Sequence, residues 1–386
     1  MKQPQIEYWD FPESNAQQQY ATHSFIRYYG KLPPVVTRRI LKESTPYLSS
    51  GMGIDVACGS GTTLVEASLL NIPFHGIDIN PLSVLATQVK TNPPDLSTLE
   101  REWNKLSESV TDELTELTKR EELPEHLQVH LPAFPKRDVW FTKTSQHQLA
   151  ALCFYLKRIE DERARNFFLI ALAGIIRQAS NASTRAGRIF KEVGKVPQSP
   201  WLLMQKKVKR MREGAAEYLK QKNGCKLRIG IGDAKNTELP KGKYGLVFFH
   251  PPYFALYKYS SDVLRFELEW LQFNRKEIAR KEIRDGFKTT KMEDAELFLD
   301  DIGEVLKEGR RLVHGRGAMV VISNNSTLRK QELPIIASIQ DRGSNVGFRL
   351  ARHCIRTVRF AQASYHKSAD VEIKTPRDHI LFFEPV

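Results

Sequence analysis

Two short runs of this chain carry residue types that do chemistry. Asp55-Val56-Ala57-Cys58-Gly59-Ser60-Gly61-Thr62-Thr63 lies between an apolar run and a helix-like run, and His250-Pro251-Pro252-Tyr253 follows about two hundred residues later. In an open α/β sheet, ligands bind at the carboxyl ends of the strands, where a tight glycine loop lets the backbone approach and a second strand ends in a carboxylate. Gly59 and Gly61 suit the first role. Asp78, 19 residues beyond Gly59, suits the second, because a carboxylate there can accept both hydroxyl hydrogens of a ribose. A third apolar run ends in Gly232-Asp233-Ala234, which places Asp233 to accept a hydrogen bond from an adenine amino group across the same edge. The loop reads Gly-x-Gly, without the third glycine of a dinucleotide fingerprint and without the lysine of a P-loop. That spelling argues against a dinucleotide or a nucleoside triphosphate.

The elements that must position these residues are legible as short apolar strands alternating with helices. Residues 1–50 read as an arm leading into a helix, with Leu32-Pro33-Pro34 as the start signal and Val35, Val36, Ile40 and Leu41 at helical spacing. Strands are expected at 54–57, 74–77, 226–231, 246–249 and 318–322, with 348–358 and 379–383 pairing as late strands. Helices are expected at 62–70, after Asn80-Pro81, and at 295–312. This alternation predicts an α/β fold with an open, mostly parallel sheet covered by helices on both faces. Between 97 and 222 the pattern changes to charged helices without strands, so the chain divides into 1–96, a helical insertion at 97–222, and 223–386 as the second part of the sheet domain.

Composition excludes several classes. A chain of 386 residues with 41% hydrophobic and 27% charged residues is an ordinary globular protein, and no apolar run approaches the roughly 20 residues of a membrane helix. Its polar beginning lacks the apolar core of a secretory signal, which predicts a cytoplasmic protein. Cys58, Cys153, Cys225 and Cys354 show neither metal-ligand nor disulfide spacing, so no metal is expected. A net charge of +13 points to a polyanion, with nucleic acid as the leading partner.

Taken in order, residues 55–67, Gly76-Ile77-Asp78-Ile79-Asn80-Pro81, Gly232-Asp233-Ala234 and His250-Pro251-Pro252-Tyr253 resemble the motifs of the S-adenosylmethionine-dependent methyltransferases that modify exocyclic amino groups of DNA bases. Thr22-His23 with residues 28–34, the stretch 264–271, Ser323-Asn324-Asn325-Ser326 and Asp378-His379-Ile380-Leu381 are similar to flanking segments of that family. The resemblance implies a Rossmann-like class I methyltransferase sheet, S-adenosylmethionine as cofactor, and duplex DNA as partner, as in restriction-modification. It implies cofactor contacts at Asp55, Ala57, Cys58, Gly59, Gly61, Thr62, Thr63, Asp78, Ile79, Asp233 and Ala234, and a catalytic unit at His250, Pro251, Pro252 and Tyr253.

Transfer from a sulfonium is an in-line displacement, so a poorly nucleophilic aromatic amine must be aimed at the methyl carbon and its conjugation relieved by acceptors around the NH2 group. Two prolines stiffen the backbone so that a carbonyl can point at the amine, and Tyr253 offers a face for an extruded base. The family has Asp, Asn or Ser before the prolines. His250 stands there in this chain, and a neutral imidazole can accept one hydrogen bond or take the departing proton. Cytosine N4 is favoured slightly over adenine N6 as the target. An RNA amino-methyltransferase and a non-catalytic nucleic-acid-binding relative are the alternative readings.

Contact with DNA is expected from the insertion. From Arg185 to Lys222 there are eleven Lys or Arg against three Glu. The loop at 181–191, with Asn181, Arg185, Arg188 and Lys191 around Gly187, reads as mobile and basic, suited to phosphates and base edges. Arg356, Arg359 and Lys367 form a second basic stretch. A base paired inside a duplex must be flipped out to reach the methyl group.

Overall fold

Among the described residues ten segments form strands: β1 (Ile6–Trp9), β2 (Met52–Asp55), β3 (Phe74–Asp78), β4 (Leu227–Ile231), β5 (Tyr244–Phe249), β6 (Val313–Ser323), β7 (Ser326–Leu328), β8 (Gln331–Leu333), β9 (Phe348–Thr357) and β10 (Arg377–Pro385). The computed structural model describes residues 4–49, 51–120, 122–185, 187–286, 289, 291–329, 331–358 and 377–386. Arg359 and Lys367 lie outside them. Strands β7 and β8 form a separate hairpin, and the other eight make one sheet in the order β1-β9-β10-β6-β5-β2-β3-β4. Only β10 runs antiparallel to its neighbours β6 and β9. The remaining pairs are parallel. This is the expected Rossmann-like α/β sheet.

Period-two alternation explains the layers. Leu246 and Phe248 of β5, with Val320 of β6 and Phe382 of β10, pack with Val36, Ile40 and Leu64 of the helices Pro34–Glu43 and Thr62–Leu69. The intervening Val247 and Phe249, with Met319 and Leu381, meet Phe298, Ile302 and Val305 of the helix Met292–Leu312 on the opposite face. From β2 the chain moves outward to β3 and β4, then returns to place β5 on the other side of β2. The carboxyl ends of β2 and β5 therefore flank the point where the order reverses, which is where such sheets bind ligands.

Between the helix Pro81–Thr91 and β4 the described residues form helices and no sheet strand, the longest being Leu96–Leu117, Lys143–Leu156, Glu162–Ile176 and Pro200–Gln221. The first begins where Asp95 caps it, its Oδ1 accepting the Thr98 amide at 2.8 Å. These helices share one apolar core with Leu82 and Val89 before them and with Phe266 and Trp270 after β5. Phe266 packs against Phe134, Trp140 and Phe141, so the stretch after the Pro-Pro-Tyr unit serves as the joint between helical part and sheet. Among the described residues no helix is long and apolar enough to cross a membrane.

The beginning of the chain departs from the expected arm, because Ile6–Trp9 adds to the sheet edge beside β9. Arg352 of β9 reaches both oxygens of Glu7, each at 2.9 Å, and Trp9 is buried against Phe382. Four residues with Tyr8 facing solvent carry too little periodicity to be read as a strand.

Candidate active site

Asp55 and Asp78 are the last residues of β2 and β3, Asp233 lies two beyond β4, and His250 directly follows β5. Parallel register brings all four to one edge. The cleft there is lined by Asp55, Ala57, Cys58, Gly59, Thr62, Thr63, Asp78, Ile79, Asp233 and Ala234 from the predicted cofactor set, and by His250, Pro251 and Pro252.

The glycine loop holds its shape because the backbone turns left-handed twice, at Gly59 (φ 50°) and Gly61 (φ 76°). A Cβ on Gly61 would come within 2.6 Å of Thr87 Oγ1. Asp78 organises the loop: its Oδ2 accepts the Gly59 amide at 2.8 Å and its Oδ1 the Asn80 amide at 2.9 Å. Each oxygen keeps further acceptor capacity facing the cleft. Burial pushes the Asp78 carboxyl up to about 6. Asp55 is raised to about 7 by the same cause, against hydrogen bonds from Thr63 and the Ala57 amide. Asp233 accepts the Lys235 amide at 2.9 Å in a tight turn at the cleft edge.

Beneath the loop sits a group that local sequence patterns did not show. Glu66, fully buried on the helix Thr62–Leu69, accepts hydrogen bonds from Tyr20, from His23 at 2.7 Å and from Arg38 Nε at 2.6 Å. Lys90 donates to the Ser60 carbonyl at 2.5 Å, and Lys31, which lines the cleft, donates to the His23 carbonyl at 3.0 Å. Burial lowers the Lys31 ammonium to about 8.

At the other wall, His250 Nε2 lies 3.2 Å from the Tyr253 hydroxyl, which donates to Asp378 Oδ1 at 2.9 Å. The Tyr253 ring meets His250 edge-on. Its phenol is thus turned toward β10, and the tyrosines bordering the cleft are Tyr28, Tyr257 and Tyr259, with Phe248 among the other lining residues. Tyr28 and Tyr259 stack with centroids 5.4 Å apart. Burial holds the His250 imidazole down to about 4, so it is neutral at physiological pH. Arg356, grouped by sequence with a basic surface stretch, is instead buried in an ion pair with Asp378, because its position on β9 faces Asp378 on β10.

The loop at 181–191 also differs from the expectation of a loose segment. The buried Arg177 guanidinium donates to the carbonyls of Ser183, Gly187 and Arg188, and Ala182 bridges to Lys191. Asn181 spends its side-chain amide on the Val139 carbonyl at 2.9 Å. Arg185, Arg188 and Lys191 are exposed on this braced loop. Gly187 packs on the Tyr257 ring, where a Cβ would come within 2.4 Å, so the loop stands beside the cleft. Among the described residues no three His, Cys, Asp or Glu side chains gather as a metal site.

No protein-family profile matches the chain. Over 137 residues it is 28% identical to the Type II methyltransferase M.MvaI of Kocuria varians, a match that covers 36% of this chain and 29% of that relative's length. Among solved structures, TTHA0409 from Thermus thermophilus, a candidate DNA modification methylase complexed with S-adenosyl-L-methionine, shares 23% identity over 40% of this chain and 52% of its own, with a TM-score of 0.27. The rRNA methyltransferase aviRa from Streptomyces viridochromogenes covers 95% of this chain and 94% of its own at 9% identity and a TM-score of 0.33. At such scores the superpositions add nothing to the strand order. Over about a third of its length the chain is thus similar in sequence to a Type II methyltransferase, in keeping with the DNA methyltransferase resemblance of its motifs.

Proposed function

We propose that this protein moves a methyl group from S-adenosylmethionine to an exocyclic base amine of DNA, cytosine N4 ahead of adenine N6. The observation that carries this reading is the convergence of the Asp78-held glycine loop and His250-Pro251-Pro252 on one cleft at the reversal point of the sheet. The cleft suits the cofactor. Ser60 Oγ, Thr62 Oγ1 and Asn80 Nδ2 are buried along it without a hydrogen-bond partner among the described residues, polar groups that a ligand would complete. Asp78 and Asp55 would take the ribose hydroxyls and Asp233 the adenine amine. Lys31 would meet the carboxylate of the amino-acid tail. When bound, the cofactor supplies an electrophilic methyl group on a sulfonium. The chain itself orients the amine through His250 and the proline-stiffened turn, and excludes water with Tyr28, Tyr257 and Tyr259.

Incubation with labelled S-adenosylmethionine and either DNA or RNA, followed by digestion and mass spectrometry of nucleosides, tests this. N4-methylcytosine from DNA is the expected product, and N6-methyladenine would keep the reaction class and change the base. Methylation of RNA alone would move the reading to an RNA amino-methyltransferase. An absence of product from both polymers would leave a binding protein.

Asp78→Ala should weaken cofactor binding by about ten- to a hundredfold, since hydrogen bonds to a charged group contribute about 1.5–3 kcal/mol. Calorimetry with the intact protein measures it, and unchanged affinity would remove Asp78 from the ribose site. Because the carboxylate form is the acceptor and the free protein's Asp78 titrates near 6, wild-type affinity should fall as pH drops through that value.

DNA is proposed to lie across the loop at 181–191 with its target base flipped into the cleft. Each phosphate contact adds about −0.9 to the slope of log K against log salt. The double variant Arg185→Ala/Lys191→Ala should therefore flatten that slope by about 2. A slope equal to wild type would place the phosphates elsewhere.

A further inference from the structure

A chain of polar groups runs from the sheet interior to the cleft. Arg356 on β9 donates to Asp378 Oδ2, and the two residues face one another directly in the β9–β10 pairing. Asp378 Oδ1 takes the Tyr253 hydroxyl at 2.9 Å, and the Tyr253 oxygen lies 3.2 Å from His250 Nε2. Arg356 and Asp378 are 8% and 5% exposed, so water does not compete for these bonds. A phenol has one hydrogen. Directed to a buried carboxylate, where a charge-assisted bond is strongest, it leaves the phenolic oxygen only an acceptor role toward the imidazole. His250 Nε2 must then carry hydrogen, and Nδ1 keeps its lone pair. Among the described residues Nδ1 has no hydrogen-bond partner, and His250 lines the cleft.

We propose that Asp378, acting through Tyr253, is a positioning residue that fixes His250 as its Nε2–H tautomer and so presents Nδ1 as the acceptor for the target amine and for the proton it sheds. The second half of this inference rests on the methyl-transfer reading; the tautomer does not. As the amine nitrogen's lone pair forms the new N–C bond, the C–S bond breaks and its electron pair stays on sulfur as a neutral thioether. The methylated nitrogen, now cationic, passes one proton to Nδ1. The resulting imidazolium is balanced by the Asp378 carboxylate through the Tyr253 hydroxyl, and the proton later leaves to solvent. A depressed imidazole basicity suffices, because an N-alkylated aromatic ammonium is a far stronger acid than an imidazolium. The arrangement follows the logic of a histidine oriented by a buried carboxylate, with a phenol interposed. It also accounts for a histidine where the resembling enzymes carry Asp, Asn or Ser, since an imidazole accepts only in the correct tautomer.

Nitrogen-15 spectra of the histidine-labelled full-length protein at neutral pH, without cofactor or DNA, test the inference. The His250 ring is assigned by its loss in His250→Gln. The expected result is a pyrrole-like Nε2 and a pyridine-like Nδ1 in wild type, with that preference lost in Asp378→Ala. Tyr253→Phe keeps the ring and removes only the hydroxyl, so it serves if the first variant does not fold. The same loss is expected there, with a fall in kcat of at least about tenfold at unchanged cofactor affinity. An Nδ1–H tautomer in wild type, or a tautomer unmoved in Tyr253→Phe, would overturn the assignment. The expected tautomer in a protein that methylates no nucleic acid would remove the methyl-transfer reading and leave Asp378 as the group that orients His250.

Discussion

Alanine in place of His250 should lower the rate of methyl transfer by about 10²–10⁴-fold, the range spanned by a positioned proton acceptor, while cofactor affinity stays within a few-fold of wild type. The two effects separate because His250 follows β5, whereas the glycine loop is held by Asp78 at the end of β3 and by Lys90 below it. Removing the imidazole takes away the acceptor without touching those bonds. Tyr253→Ala should reach a similar rate loss by a different route, since the imidazole loses its hydroxyl neighbour and Asp378 is left with one fewer donor. Single-turnover measurement of methyl transfer, with cofactor binding followed separately, checks both. If the two variants retained wild-type rates, the chemistry would have to lie elsewhere along the cleft.

Glu66→Ala should destabilise the fold by about 3–5 kcal/mol, the cost of removing one partner from a buried ionic group. The carboxylate is fully buried and takes three donors, His23, Tyr20 and Arg38. His23 is left without an acceptor when it is gone, because its ring is fully buried away from water, whereas Arg38, a third exposed, can turn to solvent. Burial by itself would raise the Glu66 carboxyl, yet the bonds from His23 and Tyr20 and the charge of Arg38 outweigh it and the net direction is down. A carboxyl lowered in the folded state contributes stability that is complete above its unfolded value near 4.5 and is lost as pH falls through the lower folded value. Denaturant titrations of wild type and Glu66→Ala should thus differ most at neutral pH and converge in acid. A constant difference down to strongly acidic pH would show that cavity formation, not charge pairing, sets the loss.

Much of this architecture was legible locally. The apolar run 246–249 is a strand buried on both faces, and Asp78 terminates its strand as its position after an apolar run implied, whereas the strand expected at 54–57 lies at Met52–Asp55 and ends on Asp55. The late strands pair, and the segment after Asn80-Pro81 is a helix capped by Asn80. The edge strand Ile6–Trp9 escaped because it is held by Arg352 and Phe382, more than three hundred residues away in sequence. The loop at 181–191 read as mobile from Gly187 and its arginines, yet Arg177, in the preceding helical run, braces three of its carbonyls. A local pattern registers which face of an element is buried and says little about what is buried against it.

The site divides in the same way. Residue order alone determined the glycine loop, the acidic strand ends and the proline turn, because backbone conformation and strand termination are local properties of Gly, Asp and Pro. Only the tertiary structure decided that Tyr28, Tyr257 and Tyr259 border the cleft, that Lys31 and Lys90 lie beneath the loop, and that Asp378 and Arg356 stand behind Tyr253. These partners come from segments far apart in the chain, brought together by parallel strand register and by the antiparallel return of β10. Their charges are settled by burial, which a sequence does not specify residue by residue.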